Sequence, residues 1–204
     1  MKKVILLIIS ILFLCSFSNN KKVIVIDPGH GGKDPGTIYN NIYEKDIVMN
    51  ISNAIYNELS KKYIVYMTRY ADYDLSSPGV NLRKKSDFDN RIKLINAVNA
   101  DLYISIHLNY YKNEIYYGPQ VFYDDVNIKN KMLASILQDN LNKDRQIKEI
   151  KNLYLFKNVK TPGSLIECGF LSNSNDRYLL QNKEYQIKFA KKVRKSIDNF
   201  FNMY

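Results

Sequence analysis

The 204-residue chain has no tryptophan, two cysteines and two histidines. Two cysteines exclude a disulfide-rich scaffold. Two histidines exclude a histidine-rich metal site, so a bound metal must also take ligands of another type. Acidic residues are the minority charge: 20 aspartates and glutamates face 30 lysines and arginines, a formal charge of +10. Internal repeats and low-complexity stretches are absent. Apolar types still make up 46% of the chain, which excludes wholesale disorder. The length suits one domain.

The longest apolar run lies at the start. Met1-Lys2-Lys3 is basic, Val4 to Phe17 is almost unbroken apolar sequence, and Ser16-Phe17-Ser18 ends it with small residues. This is the layout of a secretory signal, with cleavage expected after Ser18, so residues 1–18 are read as signal and 19–204 as the working domain. The run is shorter than the roughly 20 residues of a spanning helix. Cys15 offers a lipid-attachment alternative, but the residue before it, Leu14, is not small. Export predicts a location in the cell envelope, periplasm or wall, and disfavours nucleic acid as a partner. Loss of Lys2 and Lys3 takes the charge from +10 to +8, which suits an anionic envelope; a lysine- and asparagine-rich genome explains the same excess. After cleavage Cys168 is alone and no internal disulfide can form.

Short apolar strands are expected at Lys22–Asp27, Tyr63–Thr68, Asp101–Ile106, Gln120–Tyr123, Leu153–Phe156 and Ser164–Ile166. Helical periodicity is read at Glu44–Leu59, Ser86–Asn99 (with Ser86 as cap), Asn127–Leu141, Asn175–Leu180 and Glu184–Phe201. Strands alternating with helices, several apolar on both faces, predict an α/β fold. It is a single domain with a central, mostly parallel, twisted sheet of about six strands flanked by helices.

Three features carry chemistry. Each histidine sits where a strand meets a loop: His30 after KVIVIDPG and His107 after LYISI. Glu44 opens the first long helix. Glu167 ends an apolar strand, where an unpaired charge is costly. Two histidines and a carboxylate, with a position left for water, form a common catalytic zinc set, and zinc lowers the pKa of bound water to about 7. A further carboxylate such as Glu167 could move the proton. Plainer readings stand beside these. Glu44 could be a favourable charge at a helix N-terminus, and Glu167 a salt-bridged buried acid. Asp27-Pro-Gly-His-Gly-Gly32 could cradle a phosphate, although the Walker lysine pattern is absent. Cys168 could be a nucleophile paired with His107, although its apolar neighbours Ile166 and Phe170 favour packing.

The motifs resemble the zinc-dependent N-acetylmuramoyl-L-alanine amidases of the bacterial cell wall. The matching segments are Val25-Ile-Asp-Pro-Gly-His-Gly-Gly-Lys-Asp-Pro-Gly36, Tyr43-Glu-Lys-Asp46, Thr68-Arg69 with Asp74, and Arg91 with Asn96. Ala100-Asp-Leu-Tyr-Ile-Ser-Ile-His-Leu-Asn109, Gly118-Pro-Gln-Val-Phe-Tyr123 and Leu165-Ile-Glu-Cys-Gly-Phe-Leu-Ser-Asn173 follow in the family's order. The resemblance implies one zinc ion on His30, Glu44 and His107, with Glu167 as catalytic glutamate. It implies cleavage of the amide between the lactyl group of N-acetylmuramic acid and L-alanine, with peptidoglycan as substrate. Arg91 and Asn109 are weaker candidates for substrate contact, and Arg91 reads equally as a structural ion-pair residue. Two departures touch no expected ligand: Ile95 where a small residue is usual, and the tyrosine-rich stretch Tyr110, Tyr111, Tyr116, Tyr117.

Some relatives carry an inserted helix that plugs the zinc site, between the strand matching Gln120–Tyr123 and the next core helix. Here only Asp124 to Val126 separates them, too short for a plug and its hinges. An open groove and activity without an obligatory activator are therefore expected. The competing classes are a zinc exopeptidase on a similar fold and a wall-binding protein without turnover. The latter would be marked by loss of a ligand or of Glu167, and none is lost.

Overall fold

A computed structural model describes residues 21–203; the expected signal segment 1–18, with Cys15, lies outside them. β1 (Val23–Pro28) leads through a glycine-rich loop to a small hairpin, β2 (Ile38–Tyr39) and β3 (Ile42–Tyr43). Then come α1 (Glu44–Leu59), β4 (Ile64–Met67), α2 (Arg83–Ala97), β5 (Leu102–Asn109) and β6 (Gln120–Tyr123). α3 (Ile128–Asn142), β7 (Lys148–Glu149), α4 (Tyr154–Asn158), β8 (Gly163–Phe170), α5 (Ser174–Gln181) and α6 (Lys183–Phe201) complete the order. No helix among the described residues is long and apolar enough to cross a membrane.

Six strands form one sheet in the order β4-β1-β5-β8-β6-β7. The first four are parallel, β6 is antiparallel to β8, and β7 is parallel to β6. This is the expected α/β sheet, and both its faces are covered. Side chains alternate across a strand, and the two cores follow that alternation. Ile24, Ile26, Leu102, Ile104, Ile106 and Ile166 join the core beneath α1, α3 and α6. Val25, Tyr103 and Leu165 join the opposite core, with Ile92 and Ile95 of α2 and Leu155 and Phe156 of α4. Pro28 lies beside Ile106, and Ile106 beside Ile166, so β1, β5 and β8 deliver their last residues to one end of the sheet.

Several expectations are corrected. Leu153–Phe156 is not a strand; Tyr154–Asn158 is helical, and Leu155, Phe156 and Val159 fill the core under α2. The sixth strand is instead Lys148–Glu149, two exposed charged residues at the sheet edge. α2 starts at Arg83, so Ser86 is not its cap; the Ser86 hydroxyl accepts from the Ser77 N–H instead. β5 runs on to Asn109 and β8 to Phe170, which places His107 and Glu167 within strands. The β2–β3 hairpin turns on Asn40 and Asn41, both with positive φ (52° and 59°), the conformation a two-residue hairpin loop requires. The link from β6 to α3 is Asp124–Asn127, and the Asn127 side chain caps α3 by accepting from the Lys129 N–H.

Candidate metal centre

The loop after β1 is folded back tightly. Gly31 and Asp34 exchange main-chain hydrogen bonds of 2.9 and 3.1 Å. His30, just before this turn, sits at φ +60°, a left-handed conformation uncommon outside glycine. Two buried arginines hold it there. Arg91 donates from Nη2 to the His30 oxygen (2.6 Å) and from Nη1 to the Pro28 oxygen (2.6 Å). Arg69 donates to the oxygens of Pro28 (3.1 Å) and Gly29 (2.8 Å). Arg91 also pairs with Asp87 and Asp27, each at 2.8 Å. At 2% exposure Arg91 has no surface to offer a substrate; its role is the ion pair and the loop clamp.

This places His30, Glu44 and His107 together, with one ligand atom of each within 4.8 Å of the others. Glu44, at the first residue of α1, is buried. Its Oε2 accepts from the Thr37 N–H (2.8 Å) and its Oε1 from the Leu108 N–H (2.9 Å). His30 Nε2 lies 3.1 Å, and His107 Nδ1 3.3 Å, from that same Oε1. On the far side of the His30 ring, Nδ1 meets Asp34 Oδ2 at 2.9 Å. The Asp34 carboxylate accepts from an Nδ1–H, an arrangement that would leave Nε2 as the nitrogen offered to a metal.

The group fits a zinc ion. Tetrahedral ligands at about 2.0–2.2 Å from an ion stand about 3.3–3.6 Å from one another, close to the two spacings found. The donor set, two imidazoles and a carboxylate, is a zinc set. A cluster of acceptors facing one another is stabilised by positive charge among them. Burial disfavours charge on His30, yet the hydrogen bonds and charges of Glu44 and Asp34 outweigh it and raise its pKa. Burial likewise opposes ionisation of Glu44, but the two histidines overcome it and hold the carboxyl far below its usual range. Two glycines make the close approach sterically possible. A Cβ on Gly29 would stand 2.3 Å from His107 Cε1, and one on Gly36 (φ +66°) would stand 2.7 Å from both Glu44 Oε2 and His30 Cδ2.

Glu167 neighbours His107 across the β5–β8 pair. Its Oε2 is shut off from solvent and has no hydrogen-bond partner. Burial pushes its pKa up to about 7; the histidine charges pull against that rise and Glu44 adds to it. Cys168 points to the other face of β8, 1% exposed and packed in the α1/α3/α6 core. It is not placed to act as a nucleophile with His107.

A family model described as N-acetylmuramoyl-L-alanine amidase matches residues 24–199. The chain belongs to the N-acetylmuramoyl-L-alanine amidase family. It is 38% identical to the germination-specific N-acetylmuramoyl-L-alanine amidase of Bacillus subtilis, over 96% of this chain and 91% of that protein. Among solved structures, it resembles the CwlD amidase of Clostridioides difficile in complex with the GerS lipoprotein. The TM-score is 0.85 at 32% identity, covering 90% of this chain and 100% of that one. An N-acetylmuramoyl-L-alanine amidase of Clostridium difficile 630 superposes with a TM-score of 0.80 at 31% identity, covering 90% of this chain and 98% of that one. The amidase hydrolyses the amide that joins N-acetylmuramic acid to L-alanine in peptidoglycan.

Three residues that shape the amidase site escaped sequence reasoning as individuals. Asp34 and Arg69 lie inside quoted motifs, and only the fold shows what each one holds. Gln120 stands directly opposite Glu167 in the β6–β8 pair and is 3% exposed. Its Oε1 is buried without a partner. Asn109, at the end of β5 beside Phe170, is half-buried and lines a cavity of about 370 Å³ that Gln120 also lines.

Proposed function

We propose that residues 19–204 are the exported catalytic domain of a zinc-dependent amidase acting in the cell envelope. In this reading His30, Glu44 and His107 hold one zinc ion and Glu167 moves the proton. The observation that carries it is the convergence of His30 Nε2 and His107 Nδ1 on Glu44 Oε1, at 3.1 and 3.3 Å. A zinc ion held there supplies Lewis acidity, polarising the scissile carbonyl and making water acidic near neutral pH.

The chain's own residues do the rest. Asp34 fixes the His30 tautomer and ring plane. The N–H groups of Thr37 and Leu108 anchor Glu44. Glu167, with a partnerless oxygen and a pKa near 7, accepts a proton from the attacking water and returns one to the departing alanine nitrogen. One water is consumed, and a lactyl carboxyl group and a free amine are formed.

The four-residue link Asp124–Asn127 has no room for a plug helix. This supports activity without an obligatory activator, a partner such as the lipoprotein bound by the Clostridioides difficile relative then serving another purpose. Germination, the designation of the Bacillus subtilis relative, is the first biological setting to test.

The deciding experiment is product analysis on isolated peptidoglycan, with purified residues 19–204 and zinc as the only additions. Peptides with a free alanine N-terminus, and glycan bearing free lactyl groups, are expected. Release of terminal amino acids would make the protein an exopeptidase. No release until a second protein is added would overturn activator independence.

A further inference from the structure

Beside Glu167 the sheet end opens into a cavity of about 370 Å³ lined by Asn109, Tyr116, Gln120, Arg145, Lys148 and Phe170. Gln120 forms the end nearest the catalytic glutamate. Its Nε2 donates to the Gln146 oxygen at 2.8 Å, which fixes the amide, and its Oε1 is closed off from solvent. The far wall is the buried ring of Phe170. The Tyr116 ring stacks on Phe170 with centroids 6.2 Å apart, and the Arg145 guanidinium lies 5.0 Å from the Phe170 centroid. Arg145 directs only Nη1 to the protein, toward the oxygens of Tyr117 (2.8 Å) and Gly118 (3.2 Å). Among the described residues it forms no ion pair. Asp176, the carboxylate whose charge it feels most, accepts instead from the N–H groups of Gly118 and Phe170.

We propose that this cavity receives the peptide leaving group, with Arg145 pairing to a peptide carboxylate. The proposal rests on the reading of Glu167 as the proton carrier. The nitrogen that leaves takes its proton from Glu167, so it lies on that side of the metal centre, and the peptide it carries extends past Glu167. Gln120 is the residue directly across from Glu167, and the cavity begins there. A guanidinium laid on an aromatic face has one side screened from water and its plane set, while its remaining N–H donors stay open. That geometry suits a carboxylate, which accepts two parallel N–H bonds from such a fork. An amide in place of the carboxylate keeps one acceptor and loses the charge.

The test compares two muramoyl-L-alanyl peptides that differ only in the second residue's carboxyl, free in one and amidated in the other. Their peptide products are titrated calorimetrically into the zinc-loaded chain as well. The free carboxylate is expected to give a lower KM and tighter product binding, by about tenfold to a hundredfold, the usual range for a hydrogen bond to a charged group. In Arg145→Gln the ratio between the two compounds should collapse toward one, and Arg145→Lys should restore part of it. Equal binding of both peptides by the wild-type chain overturns the proposal. So does an Arg145→Gln variant that weakens both compounds alike, because Arg145 is then only a latch on Tyr117 and Gly118. The binding arm reads the cavity without turnover. Cutting at a bond other than lactyl–alanine would therefore count against the catalytic reading alone.

Discussion

Arg91 Nη2 donates a 2.6 Å hydrogen bond to the main-chain oxygen of His30. A buried cation thus holds the backbone of a metal-centre residue at φ +60° without touching its imidazole. The same guanidinium is paired with buried Asp27. Removing one partner of a buried pair leaves an uncompensated charge, at about 3–5 kcal/mol. Arg91→Met should lose stability on that scale in denaturant unfolding. In the fraction still folded, zinc affinity should fall about 10–100-fold, the usual effect of losing a group that orients a metal ligand. Unchanged zinc affinity in folded Arg91→Met would remove the positioning role.

Asp27 sets an acid limit on stability. Burial works against its ionisation, but Arg91 and the hydroxyls of Thr68 and Ser105 outweigh this and lower its pKa. A carboxyl whose folded pKa is depressed stabilises the fold above its unfolded value, about 3.9, and that contribution is lost as pH falls through the folded value. The Tm should therefore drop on acidification below about pH 4, and Asp27→Asn should flatten part of that slope. Identical slopes for the two proteins would show that the stabilisation lies elsewhere.

Glu167, His107 and Cys168 separate three roles within one strand pair. Glu167→Gln removes a proton carrier but no ligand, so turnover should fall by about 10²–10⁴ while zinc stays bound. His107→Ala should lose zinc and activity together. Cys168→Ser should keep its activity, since the thiol is buried and its pKa is pushed well up by that burial. Zinc content by metal analysis, read beside muropeptide release, distinguishes the three. Near-normal turnover in Glu167→Gln would end its assignment as proton carrier.

The clustering of His30, Glu44 and His107 was foreshadowed because each falls within a dense motif, Glu44 at a helix start and His107 near the end of an apolar strand. That the three meet was what the family resemblance implied; the pattern of the residues by itself left a metal role open. Arg91 was ambiguous in sequence, because an arginine in a helix reads the same facing solvent or core; its burial decides for the loop clamp. Gln120 was illegible, being one polar residue in a four-residue strand whose meaning comes from the residue opposite it. Leu153–Phe156 misled because a short apolar run has no period long enough to tell strand from helix. Lys148–Glu149 gave no signal, since its pairing uses backbone groups and its side chains face water.

β1 carries the chain from Val23 to Pro28 toward the metal centre, a path of about 17 Å at strand rise. The chain thus enters the fold at the pole opposite the reactive groups. Phe201, at the other terminus of the fold, lies under the Lys22 ammonium at that same pole. His30 and Glu167 therefore lie at the pole away from both ends of the described chain, so a long polymer can cross them without meeting either terminus.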